Sequence, residues 1–210
     1  MEDRKLTEKE SIELITSMIN RTKERYIGSG NMMLMWGYLI LAVTVLVWIL
    51  VTTTQNTAWN WLWFAIPFVG GIATPLMARS ENRRRGVTTY SDVITSRLWT
   101  IFGLSEIALI LMCLIAALCF AVNCWAAMLV YSLIAASFAE IVQGIIVKEN
   151  SLVAGGGIGL FLGVLTLCFA VGRVTLYGDW FLPLFMLGFV CMMIIPGHIL
   201  NYKMRSNEGA

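Results

Sequence analysis

The sequence predicts an all-α, polytopic membrane protein with six transmembrane helices, preceded by a cytoplasmic amphipathic helix. Of its 210 residues, 58% are apolar and only 13% are charged, whereas a soluble domain carries about 25% charged residues. The apolar residues fall into six runs of roughly 20 residues, the length that crosses a hydrocarbon core of about 30 Å. Lysines and arginines cluster between alternate runs, as in proteins that cross a membrane repeatedly.

Residues 1–31 are predicted to form the cytoplasmic amphipathic helix and its linker. Thr7 and Glu10 have the spacing of a capping box, which satisfies free N–H groups at a helix start. From Ile12 onward, apolar residues recur every three or four positions, which is typical of an amphipathic helix. The apolar stripe of residues 7–27 needs a partner. The bilayer surface, the ends of the spans and a cytoplasmic protein are the three alternatives.

The transmembrane domain is predicted to cover residues 32–202, followed by a cytoplasmic tail at 203–210. A polar turn follows the first span, and an aromatic cluster suited to the headgroup level opens the second. A basic loop separates the second span from the third. The predicted spans cover about residues 32–51, 58–77, 98–121, 124–147, 152–171 and 180–201.

Basic residues predict which side of the membrane each loop occupies. Of the fifteen lysines and arginines, only Arg173 falls in a loop on the opposite side from the rest. Positively charged loops stay in the cytoplasm, so both termini are predicted to be cytoplasmic. An even number of spans is then required, and six satisfies it. Arg83, Arg84 and Arg85 are expected at anionic lipid headgroups, with an anionic ligand or a partner protein as the alternative.

Small residues predict how the helices pack. Gly155, Gly159 and Gly163 recur on one face of the fifth span, so another helix can approach its backbone closely. A neighbour within the chain is favoured over a second copy, and the oligomeric state is left open. The third and fourth spans also carry faces rich in small residues, and these two faces are expected to meet.

Glu106 and Glu140 are the acidic residues placed deep in apolar runs. Each is 17 residues from Asn123, so a hairpin turning there would put both carboxyls at one depth, with Gln143 one turn from Glu140. Two close carboxylates in a low dielectric cannot both stay ionised cheaply. They are therefore either a proton- or cation-carrying pair or protonated acids that join two helices. His198 is either a helix-end residue or a weaker candidate for a proton relay with them.

Enzyme signatures are missing from the sequence. His198 is the only histidine, which excludes a Ser/His/Asp set, and there is no HExxH and no phosphate-binding loop ending in GK[ST]. The five cysteines show no metal-ligand spacing. The chain is therefore predicted not to be an enzyme and to hold no cofactor and no metal. A net charge of +2 is too small to indicate nucleic-acid binding.

Four stretches together resemble a family of small uncharacterised bacterial integral membrane proteins with six spans. They are TEKESIELITSMI at the N-terminus, GSGN-x₄-WGYL, NWLWFAIPFVG, and MMIIPGHILNYK at the end. The resemblance implies a location in the bacterial inner membrane, and it implies no activity and no functional residues. The leading hypothesis is a non-enzymatic membrane protein that acts by interaction, regulation or sensing at its cytoplasmic face. The alternative is a small proton- or cation-coupled transporter that uses Glu106 and Glu140.

Overall fold

The computed structural model describes residues 30–85, 90–176 and 178–208, together with Thr7, Ile12, Glu13 and Thr16. The predicted amphipathic helix of residues 7–27 therefore lies outside the described residues except for these four positions. Its partner in the lipid or in another protein stays a prediction.

The described residues form helices joined by short turns, with no strand among them. Six helical stretches are long and apolar enough to cross a membrane, which confirms the all-helical class and the number of candidate spans. We name the elements in chain order. They are α1 (Asn31–Thr54), a 3₁₀ segment (Thr57–Phe64), α2 (Ala65–Arg85), α3 (Tyr90–Phe120), α4 (Ala126–Val147), α5 (Asn150–Val171), α6 (Gly178–Phe189), a π segment (Val190–Ile194) and α7 (Ile195–Glu208).

The second and third helices differ from the predicted spans at their ends. The second apolar run begins as the 3₁₀ segment, and regular α-helix starts only at Ala65. Helix α2 then continues to Arg85 through the stretch expected to be a basic loop, because arginine is a good helix former. Helix α3 begins at Tyr90 and includes the expected lead-in to the third span.

The start of α1 and helix α7 lie at the same end of the bundle. The Gly30 N–H donates to Asn201 Oδ1 at 2.8 Å, so the start of α1 lies beside α7. Lys203 of α7 forms an ion pair with Glu149, in the turn between α4 and α5, at 2.7 Å. We call this the terminal end. At the opposite end, the 3₁₀ segment and the starts of α4 and α6 line a common cavity.

The glycine face of α5 packs within the chain. A Cβ atom at Gly156 would stand 2.9 Å from the Ser137 carbonyl oxygen, so α4 and α5 touch backbone to backbone. Gly163 lies as close to Ile134 of α4. Gly155 faces the Cys191 carbonyl of the π segment instead. The neighbours of this face are therefore α4 and the last helical stretch, not a second copy of the chain.

The sixth helical stretch is interrupted by the π segment. The Ile195 N–H donates to the Val190 carbonyl, five residues back instead of four. Pro196 follows and has no N–H to donate, so regular α-helical hydrogen bonding cannot continue through this point. The distortion of this helix therefore lies about one turn before Pro196 and Gly197.

Candidate functional site

Glu140 is the central residue of the candidate site. It belongs to the buried face of α4, which also contains Leu133, Ala136, Ser137 and Gly144. Its exposed fraction is 0%, and neither carboxyl oxygen has a hydrogen-bond partner. Helical spacing explains its position, because residues three, four and seven apart share one face of a helix.

The residues at the level of Glu140 are identified from the way α4 packs against α5. Gly159 packs on the Ser137 side chain, and Gly156 packs between Ser137 and Ile141. Glu140 therefore lies level with Gly156 on α5. In the same layer of α5, Gly155 contacts the π segment and Pro196. The acid is thus placed where α4, α5 and the π segment converge, and π segments occur frequently at functional sites.

Burial of Glu140 without a hydrogen-bond partner lowers the stability of the folded protein. A buried polar group that lacks a hydrogen bond costs about 1–3 kcal/mol, and an unpaired buried charge costs several kcal/mol. Native proteins leave few such groups, and each one calls for an explanation beyond packing. An apolar side chain would fill the position at lower cost. Glu140 is therefore the strongest functional candidate among the described residues.

Glu106 has a different environment from Glu140. It is half-buried on α3, and its Oε1 atom has no hydrogen-bond partner. The Ser132 side chain of α4 interacts with the Glu106 carboxyl. Ser132 precedes Glu140 by eight residues, which is about 12 Å along a helix. The expectation that the two carboxyls lie at the same depth was therefore wrong, and no hydrogen bond joins them.

Two further contacts also depart from the register of the α3–α4 hairpin that a symmetrical turn at Asn123 would give. The Trp99 indole N–H donates to Gln143 Oε1 at 2.6 Å. The Gln143 amide is therefore hydrogen-bonded to Trp99 and not to Glu140. Near the turn, the Cys113 thiol lies 3.6 Å from the Cys124 carbonyl oxygen. The last turns of α3 therefore extend past the start of α4, and residues 121–124 run back along them. Because of this return path, the pairing of α3 with α4 is shifted by several residues from the pairing that a symmetrical turn at Asn123 would give.

The small-residue faces of α3 and α4 do not meet as expected. Nothing lies within 4 Å of a Cβ atom placed at Gly103 of α3. On α4, the small residues Ala136, Ser137 and Gly144 are buried on the face that packs on α5. The glycines of α5 allow α4 to approach more closely than α3 does, so the small-residue face of α4 packs on α5.

The remaining predicted residues lie away from Glu140. His198 is exposed, and its Nε2 atom is 2.8 Å from the Tyr38 hydroxyl oxygen. Since neither Glu140 oxygen has a hydrogen-bond partner, a direct relay between His198 and this acid is not formed. Arg83 is exposed at the end of α2. The side chains of Arg84 and Arg85 lie outside the described part of the structure.

Glu149 is a residue that the sequence interpretation passed over. It caps α5 by accepting hydrogen bonds from Ser151, and both of its carboxyl oxygens accept from Lys203, at 2.7 and 2.9 Å. Burial raises the pKa of this carboxyl, but the hydrogen bonds from Lys203 and Ser151 outweigh it and leave the pKa below its ordinary value. An acid immediately before a helix start was the available signal.

No family model, curated protein or solved structure matches this chain. The resemblance to small bacterial membrane proteins therefore stays a prediction that rests on the quoted motifs.

Proposed function

We propose that this chain is a six-span integral membrane protein that carries protons through Glu140 as part of a transport cycle. A single observation carries the proposal: Glu140 is fully buried in a membrane-length helix, and neither of its carboxyl oxygens has a hydrogen-bond partner. Ionisable residues inside membrane spans are rare because they are costly, and they commonly mark proton or ion pathways.

The arrangement of loops supports a cytoplasmic location for both termini. The proposed location in the bacterial inner membrane rests on the resemblance alone. The start of α1, the α4–α5 turn and α7 share the terminal end of the bundle. Lys148, Lys203 and Arg205 lie in these parts of the chain, and Arg173 lies in a loop at the other end. Positively charged loops remain in the cytoplasm during insertion, so we propose that the terminal end is the cytoplasmic one.

A proton fits this position better than a metal cation. A bound cation such as Ca²⁺ needs about six oxygen ligands, and the Glu140 carboxyl group has only two oxygen atoms. No group of three or more His, Cys, Asp or Glu side chains comes together within the described residues. A proton needs only the carboxyl itself. Binding a proton also removes the charge, which is the costly part of burying this side chain.

The interaction hypothesis rests on residues 7–27, almost all of which lie outside the described structure, and on the basic residues Arg83, Arg84 and Arg85. It stays a prediction, as do the absence of enzymatic activity, of cofactors and of a nucleic-acid partner. The transport hypothesis is preferred because an observation on described residues supports it. Its form here differs from the expected pair, because Glu140 acts without Glu106.

Proton flux into liposomes tests the proposal. The full chain is reconstituted in liposomes with an entrapped pH-sensitive dye, and a potassium diffusion potential drives protons inward. We expect flux above that of empty liposomes, and we expect Glu140→Gln to reduce it to the empty-liposome level. The amide keeps the size of the side chain but does not titrate near neutral pH, so it cannot bind and release a proton as a carboxyl group does.

Glu106→Gln is the matched control, because it changes a second embedded acid by the same single atom. We expect it to keep most of the flux, since Glu106 is half-buried beside Ser132 and away from the Glu140 layer. Equal flux in the wild type and Glu140→Gln would rule out the proposal. So would wild-type liposomes that leak no faster than empty ones.

A further inference from the structure

A cavity opens at the end of the bundle opposite the terminal end. Its volume is about 390 Å³, within the range of small-molecule sites. Helix α1, the 3₁₀ segment and the starts of α4 and α6 surround it. The side chains that give it chemical character are Trp48, Asn60, Trp63, Asp179 and Phe181.

Asp179 is the one charged residue among those that line this cavity. It lies in the first turn of α6 and is exposed. The neighbouring residue Gly178 lies beside the Trp48 indole, because a Cβ atom there would stand 3.7 Å from Trp48 Cδ1. A carboxylate is thus held at the edge of an aromatic surface. Within the described structure no ion pair or hydrogen bond occupies the Asp179 side chain.

Trp63 completes the aromatic wall. Its ring meets the Phe185 ring edge to face, with centroids 6.2 Å apart, which holds the indole in one orientation. Trp48 and Trp63 line the same cavity as Asp179. Indole faces attract cations, and tryptophan does so more strongly than phenylalanine or tyrosine.

Another, larger cavity of the bundle lacks this combination of charged and aromatic side chains. It has a volume of about 600 Å³, and no charged or tryptophan side chain is among the residues that line it. Size alone therefore does not single out the smaller cavity. The smaller cavity is distinguished by its combination of one carboxylate with two indoles.

We propose that the smaller cavity binds a small organic ammonium cation. Asp179 supplies the opposite charge, and Trp48 and Trp63 supply cation-binding aromatic faces. The Asn60 Nδ2 atom donates to the Thr57 carbonyl, so Asn60 offers its amide oxygen to a polar substituent. Binding at this site is independent of proton movement. Only the further step, that this cation is the transported substrate, rests on the function proposed above.

A pair of matched probes tests the assignment. Benzyltrimethylammonium carries the charge, and neopentylbenzene has the same shape with a carbon atom in place of the nitrogen. Affinity is measured by quenching of tryptophan fluorescence, with the full chain in dodecyl maltoside, a detergent that has no ammonium group to compete. We expect the cation to bind at least about tenfold more tightly than the neutral probe, because charge contributes through both Asp179 and the indoles. Added salt should weaken cation binding, since Asp179 is exposed.

Three variants locate the site and separate it from the proton site. Asp179→Asn should weaken binding of the cation about tenfold and leave the neutral probe unchanged. Arg173→Gln, which alters a charge in a loop at the same end but not in the cavity lining, should change affinity less than twofold. Glu140→Gln should bind the cation normally even where it abolishes proton flux.

The proposal fails if both probes bind with equal affinity, because the cavity then selects only apolar shape. It also fails if Asp179→Asn binds the cation as the wild type does, or if the wild type shows no saturable binding. Elution as a single peak on size exclusion, with an unchanged thermal midpoint, establishes that each variant is folded. Since Asp179 is exposed, its replacement by asparagine removes no packing.

Discussion

Two glutamates near the α4–α5 turn show how environment decides what an acid does for a protein. Glu149 is buried at the terminal end, but every part of its carboxyl has a partner in Lys203 or Ser151. Glu140 is buried two and a half turns earlier on the chain, and its carboxyl has none. The first acid stabilises the fold through satisfied hydrogen bonds. The second costs stability, and this cost is explained if the group has a chemical task.

The same substitution at these two positions should therefore change stability in opposite directions. Glu140→Met removes an unpartnered carboxyl from an apolar layer and replaces it with a side chain of similar size. We expect it to stabilise the protein by about 1–3 kcal/mol. Glu149→Met should destabilise it by about 1–2 kcal/mol, because the cap of α5 and the Lys203 partner are lost. Thermal unfolding of the purified chain in detergent measures both. A lower midpoint for Glu140→Met would mean that its carboxyl has a stabilising partner after all.

The pH dependence checks the cause of the Glu149 effect. Hydrogen bonds from Lys203 and Ser151 hold the pKa of this carboxyl below its ordinary value although burial alone raises it. Its stabilisation is therefore complete above the unfolded pKa of about 4.3 and is lost as the pH falls through the lower folded pKa. The difference between the wild type and Glu149→Met should be largest near pH 7 and should shrink below about pH 4. Lys148→Met, at an exposed lysine in the same turn, should show no such trend.

At the scale of elements, the α4–α5 pair depends on particular glycines and not on glycine content. Gly156 and Gly157 are neighbours in α5, yet only Gly156 faces α4. A Cβ atom at Gly156 would stand 2.9 Å from the Ser137 carbonyl oxygen, while nothing lies within 4 Å of one at Gly157. The Ser137 backbone is fixed within α4, so it cannot yield as the end of a flexible side chain would.

Alanine at these two adjacent positions should therefore have different effects. Gly156→Ala pushes α4 from α5 and should destabilise the chain by about 1–3 kcal/mol, as overpacking does. Gly157→Ala meets no neighbour, and alanine favours helix over glycine by about 1 kcal/mol, so the midpoint should rise or stay constant. The difference between the two thermal midpoints is the measured quantity. Equal midpoints would contradict backbone contact between the helices at Gly156.

The sequence predicted the helices well and predicted their register poorly, for a physical reason. Hydrophobic length and charge placement depend on each segment alone, and six membrane-length helices were found as expected. The pairing of Glu106 with Glu140 depended instead on the path of residues 121–124. No periodicity encodes a loop path, so a symmetrical turn at Asn123 was assumed. The partner of the α4 small-residue face was missed because two helices, α3 and α5, competed for it.

At the scale of the whole molecule, the smaller cavity and Glu140 lie on opposite sides of an apolar layer. Leu129 lines the cavity on α4, and Glu140 follows it by eleven residues, or about 16 Å. Between them the core is closed by Leu133 of α4 and by Phe185 and Phe189 of α6, all nearly fully buried. This layer therefore blocks the access of protons from the cavity to Glu140 until it opens. Such a layer would keep proton entry coupled to a conformational change.

Shortening one side chain of this layer should let protons reach Glu140 without the conformational change. Phe185→Ala removes a ring that packs on both Trp63 and Phe189, and we expect passive proton leak into liposomes to rise several-fold as water enters toward Glu140. The double variant Phe185→Ala/Glu140→Gln should leak no more than Glu140→Gln alone, because the opened layer then leads to no exchangeable proton. Phe161→Ala, at a phenylalanine of α5 that is 68% exposed, is the control and should leave the leak unchanged. If Phe185→Ala does not fold, Phe185→Leu makes a smaller opening with the same expected dependence on Glu140. A leak that persists in the double variant would show that protons cross without this acid.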